Sequence, residues 1–122
     1  MRKNKYHARK VTVNGIVFDS RKEANRWCEL QLLERTGKIT ELKRQVKFTL
    51  IPTQRKFCSE IDKNGRFKKG EVLERPVAYI ADFAYMQDGK HIVEDTKGVK
   101  TPEYVIKRKL MLWLQGIRIR EV

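Results

Sequence analysis

Three side chains in the second half of the chain, Asp82, Asp95 and Lys97, have the types and the spacing for phosphodiester hydrolysis. Asp88-Gly89 suits a two-residue type I′ turn between two strands. With that turn as the loop, Gln87 faces Lys90, and the same register puts Asp82 opposite Asp95. A four-residue loop with Met86 facing His91 gives the same pairing. Facing residues hold their Cβ atoms ~4.5–5.5 Å apart, and like charges there repel. The expected neighbours on that face are Ala78, Ile80 and Ala84, so the two acids need a compensating cation. A divalent metal taking oxygen ligands is the simplest one: Mg²⁺, with Mn²⁺ able to substitute. Lys97 follows Asp95 by two positions and shares its face by strand alternation, whereas Glu94 and Thr96 point the other way. Such a metal polarises a phosphate and acidifies a bound water. Lys97 can orient that water or steady the developing charge. The plainer alternative is a salt bridge in which Lys97 satisfies both acids, and it leaves one of them uncompensated.

These residues need a sheet to hold them. Val77 to Met86 and His91 to Lys97 read as the paired strands, the first with apolar residues on both faces and therefore central. Val11-Thr12-Val13 and Ile16-Val17-Phe18 flank Asn14-Gly15, a hairpin. Ser20 and Glu23 fit a capping box opening a helix from Arg21 to Arg35, which Gly37 ends. Trp27 and Cys28 lie in its apolar pattern and read as packing residues. Val46 to Ile51 is a strand closed by Pro52. The polar segment 53–75 reads as a long hairpin or mobile insertion. Thr101-Pro102 opens a second helix that Gly116 ends, with Trp113 read as core, and Ile117 to Val122 is a last strand. The final strand–helix–strand unit suits a parallel crossover. The expected fold is α/β with a mixed sheet: an αβββαβ core behind an N-terminal β-hairpin, in one domain over residues 1–122.

Composition sets the partner. Hydrophobic residues at 40% and charged residues at 35% describe a globular chain. No apolar run reaches the ~20 residues of a membrane span. The basic start Met1 to Lys5 leads into no apolar signal segment, so a cytoplasmic protein is expected. Lys and Arg number 28 against 15 Asp and Glu, a net charge of +13. That balance favours a polyanion, because each phosphate contact releases counterions. The arm of residues 1–10 offers Lys3, Lys5, His7, Arg9 and Lys10 to phosphates, and Lys100, Lys107, Arg108 and Lys109 follow the Asp-x-Lys run. A solvated helix face accounts equally well for the second group, and a surface histidine for His7. His7 and His91 are isolated, and Cys28 and Cys58 form no zinc pattern.

The pattern Ile80-Ala81-Asp82 followed by Asp95-Thr96-Lys97-Gly98 resembles the PD-(D/E)xK nuclease superfamily, with Ala81 in place of the usual proline. That resemblance implies a restriction-endonuclease-like core and a further acid on the first helix at the metal. Glu23 occupies that place; its alternative role is the capping-box glutamate. The stretch from Lys5 to Val122 is similar to a family of small phage and prophage proteins, domain of unknown function 1064. The likeness is carried by Lys5-Tyr6-His7, Phe18 to Ala24, Tyr79 to Phe83 and Val93 to Pro102. It implies a phage-encoded protein in a bacterial host.

The expected function is therefore a Mg²⁺-dependent DNA endonuclease using Glu23, Asp82, Asp95 and Lys97. Within that class a homodimeric enzyme selective for branched DNA, such as a Holliday junction resolvase, fits a chain with little room for a base-reading module. A monomeric nicking or repair nuclease and a non-catalytic nucleic-acid binder are the alternatives.

Overall fold

The computed structural model describes residues 9–122, so Lys3, Lys5 and His7 lie outside the described residues. Strands β1 (Val11–Val13) and β2 (Ile16–Phe18) pair across Asn14-Gly15. Both turn residues have positive φ, 50° and 79°, as a type I′ turn demands. Helix α1 (Arg21–Arg35) starts where the Ser20 hydroxyl accepts the Glu23 N–H at 3.1 Å. It ends where Gly37 turns left-handed and Lys38 N–H reaches back to the Leu33 carbonyl at 3.0 Å.

Strand β3 (Thr40–Ile51) is the edge of a four-stranded sheet. It leaves through a small ribbon, β4 (Gln54–Arg55) with β5 (Val72–Glu74), and returns as β6 (Val77–Gln87). β6 turns through Asp88-Gly89 into β7 (Lys90–Asp95) with Gln87 opposite Lys90 and Phe83 opposite Glu94, the register expected. Helix α2 (Pro102–Leu110) is capped by the Thr101 hydroxyl on Tyr104 N–H and runs on as a π-helical turn, Met111–Gln115. β8 (Arg120–Glu121) then joins β7 in parallel. The sheet order β3-β6-β7-β8, its mixed sense and the leading hairpin give the expected αβββαβ core.

Two apolar cores lie on opposite faces of this sheet. Leu30 of α1 packs on Ile39, Phe83 and Tyr85, with Trp27 stacked on Phe83 at 5.9 Å. Tyr104 and Met111 pack on Tyr79, Ala81, Ala84 and Val93. The membership of the cores exposes a break in alternation. Tyr79 and Ala81 face α2, whereas Phe83 and Tyr85 face α1. In the paired strand Leu42 faces α1, whereas Val46 and Phe48 face α2. The phase changes at Gln45, whose φ is 50°, and at Asp82 beside it. The break re-aims side chains on both strands while the register on either side is kept, Arg44 opposite Phe83 and Val46 opposite Ala81.

Several expectations change. β3 begins at Thr40 rather than Val46, because Leu42 closes the α1 core. The last strand is only Arg120–Glu121, because β7 offers it just Glu94 and Asp95. Trp113 is 84% exposed and not core: Leu110 to Leu114 is apolar all around the helix, and one sheet face can cover only part of it. Cys28 faces solvent and does not pack; both cysteines are free. Segment 53–75 folds as a ribbon around Asn64-Gly65. Gly70 is required there, since a Cβ would lie 1.6 Å from the Lys56 carbonyl oxygen. Among the described residues no helix is long and apolar enough to cross a membrane.

Candidate functional site

The site forms where β6 and β7 stop pairing. Their ladder ends at Phe83–Glu94, one position short of Asp82 and Asp95. The freed Thr96 N–H and hydroxyl turn instead to Asp82 Oδ2, at 2.8 and 2.7 Å. Thr96 therefore grips Asp82 and does not point away from it as strand alternation implied. Asp95 is 1% exposed. Its Oδ2 accepts the Tyr79 hydroxyl at 2.5 Å, and its backbone carbonyl accepts Val122 N–H at 3.0 Å. The neighbour of Asp95 is thus Tyr79, not Ala78 or Ile80, because the phase break puts the odd-numbered residues before Asp82, Tyr79 and Ala81, onto its face. Among the described residues Asp95 Oδ1 is buried with no hydrogen-bond partner, and the cation nearest it is Lys97 Nζ at 3.8 Å. Lys97 also lies 5.1 Å over the Tyr104 ring.

Asp82, Asp95, Lys97 and Glu23 line one cleft of about 520 Å³, closed by Ser20, Lys22, Gly98 and Thr101. Glu23 is 3% exposed. Its Oε2 accepts the Asp19 N–H at 3.3 Å and its Oε1 accepts Gln45 Nε2 at 3.2 Å. The cap is one-sided: Ser20 serves the Glu23 amide, but the Glu23 carboxylate serves Asp19 and Gln45 instead of Ser20. Burial raises the Glu23 pKa to about 7, with the Asp82 and Asp19 charges adding to the effect and Arg44 opposing it. Burial also raises Asp95 to about 6; the Tyr79 hydrogen bond and Lys97 oppose this, and Asp82 reinforces it. Around Glu23 and Asp95 the Asp82 carboxylate thus outweighs the opposing cation, Arg44 for the first and Lys97 for the second.

Among the described residues no group of three or more His, Cys, Asp and Glu side chains stands close enough to hold a metal ion. The three-carboxylate cage expected from the sequence is not assembled. What the residues do offer is a pair, Asp82 with Asp95, and one orphaned buried oxygen between them and Lys97. Hard oxygen donors with an unmet negative charge suit Mg²⁺ or Mn²⁺, which commonly take only one or two carboxylates and keep several waters.

The remaining basic candidates divide. Arg9, Lys10 and Lys109 are exposed. Lys100 pairs with Glu121 at 3.6 Å and Lys107 with Glu103 at 2.9 Å, while Arg108 meets Glu121 at 3.3 Å. Glu94 points to the other face, as strand alternation implied, and is fully buried there, held by Arg26 through two bonds of 2.7 Å and by the Tyr85 hydroxyl. Sequence reasoning missed Gln45, Tyr79 and Lys22. Only Lys22 carried a signal, as a cation in the first turn beside Glu23.

Fold and cleft together define a mixed-sheet protein whose central strands part around two carboxylates and a lysine. The chain matches the family described as "Protein of unknown function (DUF1064)" over residues 3–118, and it belongs to that family. No curated protein and no solved structure matches it.

Proposed function

We propose that the protein is a metal-dependent DNA endonuclease of the PD-(D/E)xK type. The observation that carries the reading is the buried Asp95 Oδ1, without a hydrogen-bond partner among the described residues, in a cleft shared with Asp82, Glu23 and Lys97. An unpaired buried carboxylate oxygen is costly, and a cation ligand removes the cost. Asp82 and Asp95 would hold Mg²⁺, with Glu23 across the cleft. The ion supplies a polarised phosphate and an acidified water.

The chain's own residues prepare that chemistry. Thr96 fixes Asp82 with two donors, and Tyr79 fixes Asp95 with one, so each carboxylate presents a defined oxygen. Lys97 offers an ammonium to a phosphate oxygen or to the attacking water. Glu23, raised to about 7 by burial, can accept and release a proton at its carboxylate near neutral pH. The excess of Lys and Arg draws in the DNA backbone. Branched DNA is the substrate this reading favours, because 28 Lys and Arg against 15 Asp and Glu suit recognition of backbone shape and charge.

A non-catalytic DNA binder is the second reading, favoured by the lack of a three-ligand group among the described residues. Labelled four-way junction, duplex, flap and single-stranded DNA, each with Mg²⁺, Mn²⁺ or EDTA, separate the two. Metal-dependent incision lost in Asp95→Asn is the expected result. Binding without incision in either metal selects the second reading.

A further inference from the structure

We propose that the ribbon of β4 and β5 is a stacking platform for the unpaired bases of a nucleic-acid strand. The proposal rests on the nucleic-acid part of the reading above and not on catalysis. Phe57 and Phe67 meet edge to face, with centroids 5.4 Å apart and planes at 61°. They come from opposite arms of the ribbon and belong to neither core. Phe57 is 75% and Phe67 61% exposed. Isolated apolar residues at a surface need no explanation, but a paired aromatic cluster on a projecting element marks a contact site.

The charge around the rings selects the partner. Lys56 precedes Phe57, and Arg66 and Lys68 flank Phe67, all exposed. Residues 54–75 contain seven Lys and Arg against four Asp and Glu, so the ribbon is basic. Part of that acid is already committed: Asp62 Oδ1 accepts the Asn64 and Arg66 amides at 2.8 and 3.1 Å, and Glu60 pairs with Lys68 at 3.4 Å. A second copy of a +13 chain is repelled by such a surface, while a polyanion is attracted.

Ring geometry then selects among polyanions. Duplex bases stack on one another and show a protein only edges and phosphates, whereas an unpaired strand offers free π-faces. Exposed aromatics interleaved with cations are the recognised solution for that ligand. The frame is rigid enough to present them: Lys56 N–H bonds the Glu71 carbonyl and Lys68 N–H the Glu60 carbonyl, both at 2.8 Å, with Gly70 allowing the close approach.

The test is fluorescence anisotropy of the full chain in EDTA with labelled oligothymidine and with blunt duplex of equal length. Phe57→Ala and Phe67→Ala should each weaken the single strand roughly tenfold and leave the duplex unchanged. Phe57→Trp in a Trp113→Phe background should keep the affinity, with its emission quenched by oligothymidine. The proposal is overturned if the double alanine variant binds oligothymidine as the parent does, or if both DNAs weaken equally. It is also overturned if the alanine changes abolish self-association instead, which makes a second copy the occupant. A parent that binds neither DNA removes the nucleic-acid reading itself.

Discussion

The Tyr79 hydroxyl donates to Asp95 Oδ2 across the α2 face of the sheet, and so leaves Oδ1 as the buried oxygen without a partner among the described residues. The two residues share a face only because β6 changes phase at Asp82. The hydrogen bond favours the ionised acid and opposes the burial that raises its pKa to about 6. Tyr79→Phe removes that support. A hydrogen bond to a charged group contributes about 1.5–3 kcal/mol, so the Asp95 pKa should climb by roughly one unit or more. Carbon-13 titration of the Asp95 carboxyl reads this directly. The acid limb of the cleavage profile should move up by the same amount, with the rate recovering above pH 8. A profile that merely drops at every pH would give Tyr79 a packing role.

The two raised acids make a stability prediction with a definite sign. A carboxyl whose pKa is higher in the folded than in the unfolded chain binds its proton more tightly when folded. Its favourable contribution is complete below about pH 4 and is lost as pH rises through 6 for Asp95 and 7 for Glu23. The metal-free protein should therefore lose stability between pH 4 and 8 on account of these groups, by on the order of a few kcal/mol. Glu23→Gln should raise the melting temperature by several degrees at pH 8 and leave it unchanged at pH 4. Added Mg²⁺ should stabilise the parent at pH 8 and have little effect at pH 4. Equal effects of Glu23→Gln at both pH values would mean that its carboxylate is fully solvated.

Glu94 shows how much of this was open to sequence reading. Asp88-Gly89 fixed the register of β6 and β7, because a two-residue turn with both φ positive allows one pairing. That register set Asp82 and Asp95 just past the end of the β6–β7 ladder and alternation sent Glu94 to the other face, while Asp82, Asp95 and Lys97 meet in one cleft where the strands part. It could not say that Arg26, 68 positions away, would meet Glu94 there. The phase break was hidden as well. Gln45 adopts φ 50° without a glycine to announce it, so the alternation carried through from Val77 put Ala78 and Ile80 beside the acids in place of Tyr79. Trp113 failed differently. Helical periodicity ranks faces but does not say how much sheet remains to cover them, and the π-helical turn rotates Leu112 to Leu114 off the buried stripe of Tyr104 and Met111.

Arg26 and Glu94 form the buried tie between α1 and β7, one residue before Asp95. Tyr85, pushed up to about 12 chiefly by burial, stays protonated and donates to the same carboxylate. Arg26→Met leaves that carboxylate buried with one neutral donor. The expected loss is about 3–5 kcal/mol in urea denaturation. Arg26→Met with Glu94→Gln should recover most of it, since the uncompensated charge is gone. A double variant as unstable as the single one would show that packing of the Arg26 stem, not charge, holds the helix.

Lys97 is the cation nearest the orphaned oxygen, at 3.8 Å, and it remains partly exposed to the cleft. In the proposed reaction it acts on the transition state more than on bound DNA. Lys97→Met should therefore lower kcat by about 100-fold or more while leaving DNA affinity within a few fold. Parallel loss of affinity would make it one phosphate contact among many. An unchanged kcat would remove it from the chemistry.

Resolution of a branch point requires cuts on two opposed strands, and the described residues of each chain bring Asp82 and Asp95 together in one cleft. A two-fold homodimer is the simplest arrangement that supplies both. The expected particle is twice 14.5 kDa in light scattering at low micromolar concentration. On a supercoiled plasmid extruding a cruciform, paired incision within one binding event gives linear product directly. Independent cuts give nicked circles first. Linear product appearing without a nicked intermediate, and four-way junctions cut at least ten times faster than duplex, are the expected results, the latter as an order-of-magnitude figure. A monomer that cuts junction and duplex at equal rates and accumulates nicked circles assigns the cleft to a nicking or repair nuclease. In that case the carboxylate pair keeps its role, and the ribbon's preference for unpaired bases becomes the main source of substrate choice.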